Sequence, residues 1–495
     1  MRLKELLQGL DVLNFDSFRS KKTNIDIEGM AYDHRKVQQN FLFCALVGDK
    51  IDGHQFIPQA IEAGATAILC QNDSLRWKYR QIPFIKVTDS RHSMAIMAHN
   101  FYGNPAQSMR IMGITGTNGK TTITFLIANM VKNCGARIGI IGTTGIYYND
   151  KFIPATHTTP ESLELAEILS KMKEEDIDTV IMEVSSHSLV QHRTAGINFY
   201  AALFTNLTHE HLDYHRSMAQ YAAAKKILYD NLPIKSIALA VDVSDYTKFI
   251  LKDCRALKKL QIGYKAESDI IISDIELNLN YSKFKLTFNH LENKPTQEFR
   301  TNLIGKFNVE NAALAVSYLV ANGVNRRIAG EVLAEADGAP GRMDRIPLSN
   351  AAIAVVDYAH TPDALEKALS ACKELLSKKP ENKLICVFGC GGDRDKTKRP
   401  EMGKISTDIA DITIITDDNP RTEDSSEIRK EIINGIDNPK AIYHEISPRE
   451  DAIKKAKELS QRGDIILIAG KGHENYQIIG TEKQHFDDKE IVSKL

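Results

Sequence analysis

The chain has 495 residues, more than one hydrophobic core holds, and this length predicts about three domains of ~150 residues each. Its formal net charge of −1 leaves no surplus of basic residues to hold nucleic acid nonspecifically. The 43% hydrophobic and 26% charged residues are typical of a globular protein, and no run approaches the ~18 apolar residues of a membrane span. Seven scattered cysteines without a C-x-x-C pair, and an N-terminus without a signal-peptide apolar core, predict a reduced, cytoplasmic protein.

Residues 1–107 alternate between strand and helix patterns, which predicts a small parallel sheet. Strands are predicted at 40–46 and 65–69, with a helix at 57–63 between them. The loops of this segment carry charges that either bind a ligand or are solvated, and spacing alone favours solvation. These residues are Asp33, Arg35, Asp49 and Lys50.

Residues 113–122 read GITGTNGKTT and lie between an apolar strand and a helix-like stretch. This order of strand, glycine loop and helix is the setting of a phosphate-binding loop. Glycines let backbone N–H groups converge on phosphate oxygens, and the helix N-terminus adds partial positive charge. We expect Lys120 to reach the outer phosphates of a nucleotide and the Thr121 hydroxyl to bind Mg²⁺. Because the common motif has glycine where this chain has Ile114, an ordinary glycine turn is the alternative.

A second apolar strand, at 179–182, runs directly into Glu183. An acid at the carboxyl end of a strand, in the sheet that carries a phosphate loop, is the usual place for a Mg²⁺-organising carboxylate. A third strand leads into residues 208–215 (THEHLDYH), where three histidines stand close together. Their spacing matches neither H-E-x-x-H nor a cysteine-based zinc site. We therefore favour the interpretation that this loop supplies one imidazole to a second Mg²⁺, over a zinc site and over a polar surface loop without a ligand.

Other features of the central segment have ordinary structural interpretations from pattern alone. Lys225 lies in a predicted helix and reads there as an ordinary helix lysine. Alternation within residues 265–305 predicts antiparallel sheet with one wet face. Asn308 and Asn311 either read the edge of a nucleobase or serve as polar residues at the start of a helix.

The composition of residues 338–343 (GAPGRM) marks a boundary, after which predicted strands end in polar loops. Helical stretches separate these strands, which predicts a doubly wound parallel sheet that binds ligands at the carboxyl ends of its strands. The loops carry Arg394, Asp418, Arg421 and Glu474. An arginine takes a carboxylate bidentately and an acid takes an ammonium, so the mixture predicts a site for a small zwitterion. Ion pairing among the four side chains is the alternative.

Taken together and in order, these motifs resemble the Mur ligase family of ATP-dependent amide-forming enzymes over essentially the whole chain. The resemblance implies a small N-terminal α/β UDP-binding domain at 1–107. It implies a central phosphate-loop ATPase-like parallel sheet with an antiparallel part at 108–337, and a C-terminal Rossmann-like doubly wound sheet at 338–495. The implied activity adds meso-2,6-diaminopimelate to UDP-MurNAc-L-Ala-D-Glu through an acyl phosphate, in peptidoglycan precursor synthesis. Relatives that accept L-lysine typically lack the arginine of the DNPR loop at 418–421.

Position by position, the resemblance implies roles for four groups of residues. The ATP-binding group is Gly116, Thr117, Asn118, Gly119, Lys120, Thr121, Thr122, Asn308, Arg342, Asp357 and His360. The catalytic group is Lys120, Glu183, His211 and Lys225, and the metal ligands are Thr121, Glu183, His211 and Lys225. The UDP-MurNAc-dipeptide group is Thr158, Thr159, Ser185, Gln191 and Arg193. The diaminopimelate group is Arg394, Asp418, Asn419, Pro420, Arg421, Gly470 and Glu474.

The resemblance also implies ATP as co-substrate, two Mg²⁺ ions, and a carbamate formed from CO₂ on Lys225 in place of an ordinary lysine. It implies small-molecule substrates only, with no nucleic acid, no membrane insertion, and a monomeric state.

Two positions depart from the family pattern. The family usually has Asp-Ser-Arg where this chain has His34 between Asp33 and Arg35, so the serine contact to the UDP-sugar is missing or replaced. Glu210 stands where the family often has Asp.

Two alternatives to this activity are kept. The nearer is another amide ligase of the same superfamily, either one that adds L-lysine or one like folylpolyglutamate synthase; the DNPR loop argues against the latter. The farther is a nucleotide-gated binding protein with no synthetic reaction. Phosphate release that depends on both the UDP-MurNAc-dipeptide and an amino acid separates the three.

Overall fold

The chain forms a separate main sheet in each of the three predicted segments. The computed structural model describes residues 1–14, 24–48, 51–242, 244–377 and 379–495. Its mixed α/β architecture, with parallel sheets and an antiparallel extension, confirms the predicted fold class. The boundaries at 107/108 and 337/338 stay predictions.

The first sheet has four parallel strands, in the order β1-β2-β3-β4. Apolar side chains on both of its faces are buried, as a parallel sheet covered by helices requires. The strands are β1 (Gly29–Ala31), β2 (Phe41–Cys44), β3 (Ala65–Cys70) and β4 (Phe84–Lys86). The helices are α1 (Leu3–Leu6), α2 (Ile57–Glu62) and α3 (Ser90–Phe101).

The second sheet has 11 strands, and its middle part is parallel. Its strands are β5 (Arg110–Thr115), β6 (Ile138–Gly142), β7 (Gly145–Tyr148), β8 (Lys151–Ile153), β9 (Thr179–Glu183), β10 (Ala201–Phe204), β11 (Ile237–Val241), β12 (Lys258–Gly263), β13 (Ile270–Leu277), β14 (Ser282–Phe288) and β15 (Thr296–Thr301). Their spatial order is β15-β14-β13-β12-β11-β10-β5-β9-β6-β7-β8. β13, β14 and β15 pair antiparallel, as the alternation at 265–305 predicts.

Helices cover both faces of this sheet. They are α4 (Lys120–Asn133), α5 (Ser162–Glu174), α6 (Ser186–Val190), α7 (Leu212–His215), α8 (Met218–Asp230), α9 (Tyr246–Leu251), α10 (Lys306–Ala321) and α11 (Arg326–Glu335). One core contains apolar residues of α4, α10 and α11, and the other contains those of α5 and α8. Because the middle strands are buried on both faces, their carboxyl ends remain the accessible places for chemistry.

The third sheet has the order β16-β17-β21-β18-β19-β20, parallel except for β16. Its strands are β16 (Asp344–Pro347), β17 (Ile353–Asp357), β18 (Leu384–Phe388), β19 (Ile412–Ile415), β20 (Tyr443–Glu445) and β21 (Ile465–Ala469). β22 (Tyr476–Ile479) and β23 (Glu482–His485) form a separate hairpin. The helices are α12 (Pro362–Leu376), α13 (Lys398–Ile409), α14 (Ser425–Ile433), α15 (Arg449–Leu459) and α16 (Asp488–Val492).

Two features bear on the expectations from composition. All seven cysteines are free thiols, and six of them are buried. Within the described ranges, no helix combines the length and the apolar character of a membrane span.

Candidate functional site

The phosphate-binding loop follows β5, which lies between β9 and β10. Gly116 has a φ of 146°, and a Cβ there would lie 1.9 Å from the hydroxyl oxygen of Thr205. Gly119 has a φ of 86°, and its Cβ would lie 2.7 Å from Oδ1 of Asn311. The backbone therefore requires glycine at both positions. The loop is held from the end of β10, because the N–H of Thr117 donates to the carbonyl of residue 206 at 2.9 Å.

Two lysines converge on one carbonyl of this loop. Lys120 Nζ donates to the carbonyls of Gly116 at 2.9 Å and Thr117 at 2.8 Å. Lys225 Nζ, from α8, donates to the same Gly116 carbonyl at 2.8 Å and lies 4.4 Å from the centre of the Tyr221 ring. Burial lowers the pKa of both lysines, and the charge of Lys120 lowers the pKa of Lys225 further. An anionic group between the two nitrogens would offset both effects.

Glu183 is the last residue of β9, next to the phosphate-binding loop, and its side chain is buried. Its carboxylate accepts from the backbone N–H of Thr143 at 2.9 Å and from the Thr143 hydroxyl at 3.1 Å. Thr121 and Thr122 are buried in the first turn of α4. The carboxylate and the Thr121 hydroxyl thus belong to adjacent elements of one strand-end cluster.

This donor set fits Mg²⁺, which nucleotide sites hold by one or two protein groups together with substrate phosphates. Among the described residues, no three His, Cys, Asp or Glu side chains are grouped so as to hold a metal ion by themselves. His211 is the N-cap of α7, with a φ of 57°, and its ring centre lies 4.9 Å from that of His187 and 6.2 Å from that of Tyr221. The Tyr221 ring is thus a neighbour of both His211 and the amine of Lys225.

The five residues implied for UDP-MurNAc-dipeptide binding form one cluster beside Glu183. Thr159 Oγ1 donates to the Glu183 carbonyl at 2.9 Å and accepts from the N–H of Ser185 at 3.1 Å. Arg193 donates to the Thr159 carbonyl at 2.9 Å and to Gln191 Oε1 at 2.7 Å. The hydroxyl of Thr158 lies 3.1 Å from that of Thr143, which itself contacts Glu183.

A cavity of about 270 Å³ lies between the phosphate-binding loop, α10 and the third sheet. Six of the implied nucleotide residues line it: Asn118, Gly119, Thr122, Asn308, Arg342 and Asp357. Asn308 donates to the Ile304 carbonyl at 2.8 Å and accepts from Asn311 at 2.9 Å, so it also organises the start of α10. Both interpretations of Asn308 therefore stay open.

Contacts across this cavity join the second and third sheets. Asn118 Nδ2 donates to Oδ2 of Asp363, at the start of α12, at 2.5 Å.

The other implied nucleotide residues make contacts within the third segment. The Arg342 guanidinium lies 4.7 Å from the ring centre of Tyr358. Asp357 accepts from the backbone N–H groups of residues 343 and 359, and burial raises the pKa of its carboxyl. His360 is exposed, and its Nδ1 lies 2.9 Å from the Tyr358 carbonyl.

The implied amino-acid site lies at the carboxyl ends of β19 and β21. Asp418 and Asn419 are buried, and Asn419 donates to Oε2 of Glu474 at 3.0 Å. Burial and the nearby Asp418 raise the pKa of Glu474. Gly470 has a φ of 117°, and a Cβ there would lie 3.2 Å from Oδ2 of Asp418. Glycine at position 470 therefore lets the backbone pass close to the Asp418 carboxylate.

The two implied guanidinium groups lie at the rim of this site. Arg421 has a φ of 52°, and its Nη1 donates to the Gly392 carbonyl at 2.8 Å. A Cβ at Gly392 would lie 1.9 Å from the Pro420 carbonyl oxygen, so this loop packs tightly against DNPR. Arg394 is exposed. Within the described ranges, no ion pair joins either arginine to Asp418 or Glu474. Both carboxylates pair instead with Lys471.

Sequence reasoning missed several residues of these clusters. Lys471 is fully buried and lies 3.6 Å from both Asp418 and Glu474. Thr143 holds the Glu183 carboxylate, and Asp363 contacts the phosphate-binding loop. A lysine between two glycines at a strand end was a usable signal for Lys471. The other two have no local signal, because their partners lie 40 and 245 residues away along the chain.

In the first segment, the charges of the β1–β2 loop pair locally. Arg35 lies 2.7 Å from Asp33 and holds the pKa of that carboxyl down, at about 2. This agrees with the solvated-loop interpretation, while Asp49 and Lys50 lie outside the described residues. His34, at the position where the serine is replaced, stacks on Phe56 with ring centres 4.6 Å apart.

Three family models match the chain. The model described as "Mur ligase family, catalytic domain" matches residues 26–102, and "Mur ligase middle domain" matches residues 114–319. The model described as "Mur ligase, glutamate ligase domain" matches residues 341–472.

Known proteins resemble the chain over nearly its full length. A protein of Clostridium acetobutylicum named UDP-N-acetylmuramoyl-L-alanyl-D-glutamate--2,6-diaminopimelate ligase 1 is 41% identical, with 95% of each chain covered. One of Clostridium tetani, named as a ligase for the same two substrates, is 38% identical and covers 100% of this chain and 99% of its own. A solved structure with that ligase name is 32% identical, with a TM-score of 0.72 and coverage of 100% and 98%.

Proposed function

Because the chain belongs to the Mur ligase family, we propose that it is the ATP-dependent ligase that joins meso-2,6-diaminopimelate to UDP-MurNAc-L-Ala-D-Glu. The observation that carries the proposal is the pair of contacts that place the phosphate-binding loop beside the third segment and the dipeptide residues beside Glu183. The UDP-dipeptide cluster meets Glu183 at the end of β9, and the phosphate-binding loop meets the third segment at the Asn118–Asp363 contact. The amino-acid cluster lies at the strand ends of that third segment.

In the proposed reaction, ATP phosphorylates the D-Glu side-chain carboxylate, and the amine of the amino acid displaces phosphate from the resulting acyl phosphate. The chain's contribution is positioning and charge neutralisation, as in other phosphoryl transfers. Lys120 supplies positive charge at the loop, and Arg193 holds the threonine that orders the end of β9. Mg²⁺, held by Thr121, Glu183 and His211, would neutralise charge on the phosphates.

We propose in addition that Lys225 carries a carbamate formed from CO₂. Carbamylation requires the neutral amine, and burial beside the Lys120 charge favours that form. The modification places an anion next to Lys120, so attraction replaces the repulsion that a protonated Lys225 would exert at the Gly116 carbonyl, which both lysines contact. The monomeric state and the cytoplasmic location stay predictions of the sequence.

The test is phosphate release from ATP, measured with and without each organic substrate. We expect release only when UDP-MurNAc-L-Ala-D-Glu and meso-diaminopimelate are both present, with much lower kcat/KM for L-lysine and none for L-glutamate. Equal ATP hydrolysis with neither organic substrate would refute the proposal. Equal kcat/KM for diaminopimelate and L-lysine would refute only the choice of amino acid.

A further inference from the structure

Lys471 is a cation enclosed within the amino-acid cluster. It follows β21 between two glycines with positive φ, and its side chain is 0% exposed. Its Nζ lies 3.6 Å from Oδ1 of Asp418 and 3.6 Å from Oε2 of Glu474. The same nitrogen donates to Oδ1 of Asn419 at 3.3 Å. One ammonium group therefore forms ion pairs with both carboxylates and a hydrogen bond with the side-chain amide of Asn419.

The two carboxylates depend on this lysine. Oδ1 of Asp418 is buried and accepts no hydrogen bond from any described residue, so the ion pair with Lys471 is its compensation for burial. Glu474 is held by Asn419 at 3.0 Å and by the Tyr358 hydroxyl at 3.4 Å, and it faces the charge of Asp418. Without the lysine, two like charges would share a buried site and repel one another.

The five charged side chains assigned above to the amino-acid site have a net charge of +1. Arg394, Arg421 and Lys471 contribute three positive charges, and Asp418 and Glu474 contribute two negative ones. A ligand end that carries an ammonium beside a carboxylate adds no net charge to this site. A bare ammonium, such as the side-chain end of L-lysine, adds one and is disfavoured by Coulomb repulsion.

We propose that Lys471 is a specificity-determining positioning residue of the amino-acid site. It holds Asp418 and Glu474 together and keeps the site net positive, so that an ammonium is accepted only with a carboxylate beside it. This inference rests on the proposed function, because it requires a diamino dicarboxylic acid to bind at this cluster. In this arrangement, Arg421 contacts the carboxylate of the ligand. Lys471 sets the position and the net charge of Asp418 and Glu474, which receive the ammonium of the ligand.

The experiment compares wild type with Lys471→Met, which removes the charge and keeps the length of the side chain. We expect the KM for diaminopimelate to rise about tenfold or more, with kcat changed less than about threefold. The ratio of kcat/KM for diaminopimelate over L-lysine should fall about tenfold, while the KM for ATP is unchanged. Lys483→Met is the matched control, because this exposed lysine of β23 lies over Tyr476 and outside the buried cluster.

Thermal unfolding of each variant separates specificity from folding. A folded Lys471→Met protein with unchanged KM and unchanged substrate ratio would overturn the proposal. If Lys471→Met does not fold, Lys471→Arg decides, since it keeps the charge: a ratio near that of wild type supports the proposal, and a lost ratio contradicts it. Unfolding of both variants would make the role structural and also contradict the proposal. Wild type without diaminopimelate-dependent phosphate release would instead overturn the proposed function.

Discussion

At the scale of single residues, Lys225 illustrates how surroundings change the chemistry of a side chain. Lys225 is the first of two adjacent lysines in α8, and the sequence pattern does not distinguish them. The fold buries Lys225 against Gly116 and Tyr221, while Lys226 pairs with Asp230 at the edge of the helix. An amine enclosed beside another ammonium is a candidate for modification, whereas a lysine paired with a carboxylate on its own helix is not.

We predict that Lys225→Ala lowers ligase activity by about a thousandfold, because it removes the anion that the carbamate would supply near Lys120. A small added carboxylate, such as acetate, should restore part of the rate by occupying the vacated space. Initial rates of phosphate release with and without the additive measure this effect. Lys226→Ala is the control and should stay within about threefold of wild type, because Lys226 pairs with Asp230 on its own helix and not with the phosphate-binding loop. Full activity of Lys225→Ala with no additive would contradict the carbamate role.

At the scale of secondary structure elements, α3 carries a buried histidine against the second segment. His99 is 2% exposed, neither ring nitrogen has a hydrogen-bond partner among the described residues, and a Cβ at Gly196 would lie 2.6 Å from its ring. Burial lowers the pKa of His99 to about 4 from an ordinary 6.5. The folded chain therefore keeps this imidazole neutral where the unfolded chain would take up a proton.

This shift predicts a specific dependence of stability on pH. Because the folded pKa is depressed, the contribution of His99 is fully present above pH 6.5 and is lost as the pH falls through the folded pKa near 4. The full loss corresponds to about 3 kcal/mol of unfolding free energy. Urea unfolding of wild type and His99→Gln between pH 7.5 and 4 tests this, and the variant should lose less stability with falling pH. The exposed His157→Gln is the control, and an equal pH dependence for wild type and His99→Gln would contradict the prediction.

At the scale of the whole molecule, the reaction requires the third segment to meet the second. The joint near residue 341 packs directly on the loop that carries the amino-acid site: a Cβ at Gly341 would lie 2.1 Å from the backbone nitrogen of His473. Movement at this joint would therefore shift Lys471 and Glu474 together with the rest of the third sheet. We take residues 338–341 as the hinge.

We predict that binding of substrates compacts the molecule, because the clusters on the two segments must close on one another. Small-angle X-ray scattering should show a smaller radius of gyration with a non-hydrolysable ATP analogue plus UDP-MurNAc-L-Ala-D-Glu than in the free protein. The analogue alone is the control and should produce a smaller change. An unchanged radius with both ligands present would count against hinge closure.

Local sequence was sufficient for much of the fold and for the conformation of several loops in which the candidate site residues lie. The phosphate-binding loop, the strand-end Glu183 and the DNPR loop each lie where one stretch of chain sets both conformation and chemistry, and the parallel sheets follow from alternating strand and helix patterns. Element ends were less certain: a strand predicted at 40–46 spans Phe41–Cys44, because the ends of strands depend on pairing partners. The predicted helix at 57–63 agrees closely with Ile57–Glu62.

What tertiary structure alone decided are the contacts between side chains far apart in the chain. Lys225 meets Gly116 across 109 residues, Asp363 meets Asn118 across 245, and Lys471 meets Asn419 across 52. Lys225 and Asp363 have ordinary local patterns, and only the fold places them beside the phosphate-binding loop. The sequence by itself determined which groups are present and which elements carry them. The folded chain determined which charges share a site, because electrostatic interactions depend on distance and on exclusion of water rather than on order along the chain.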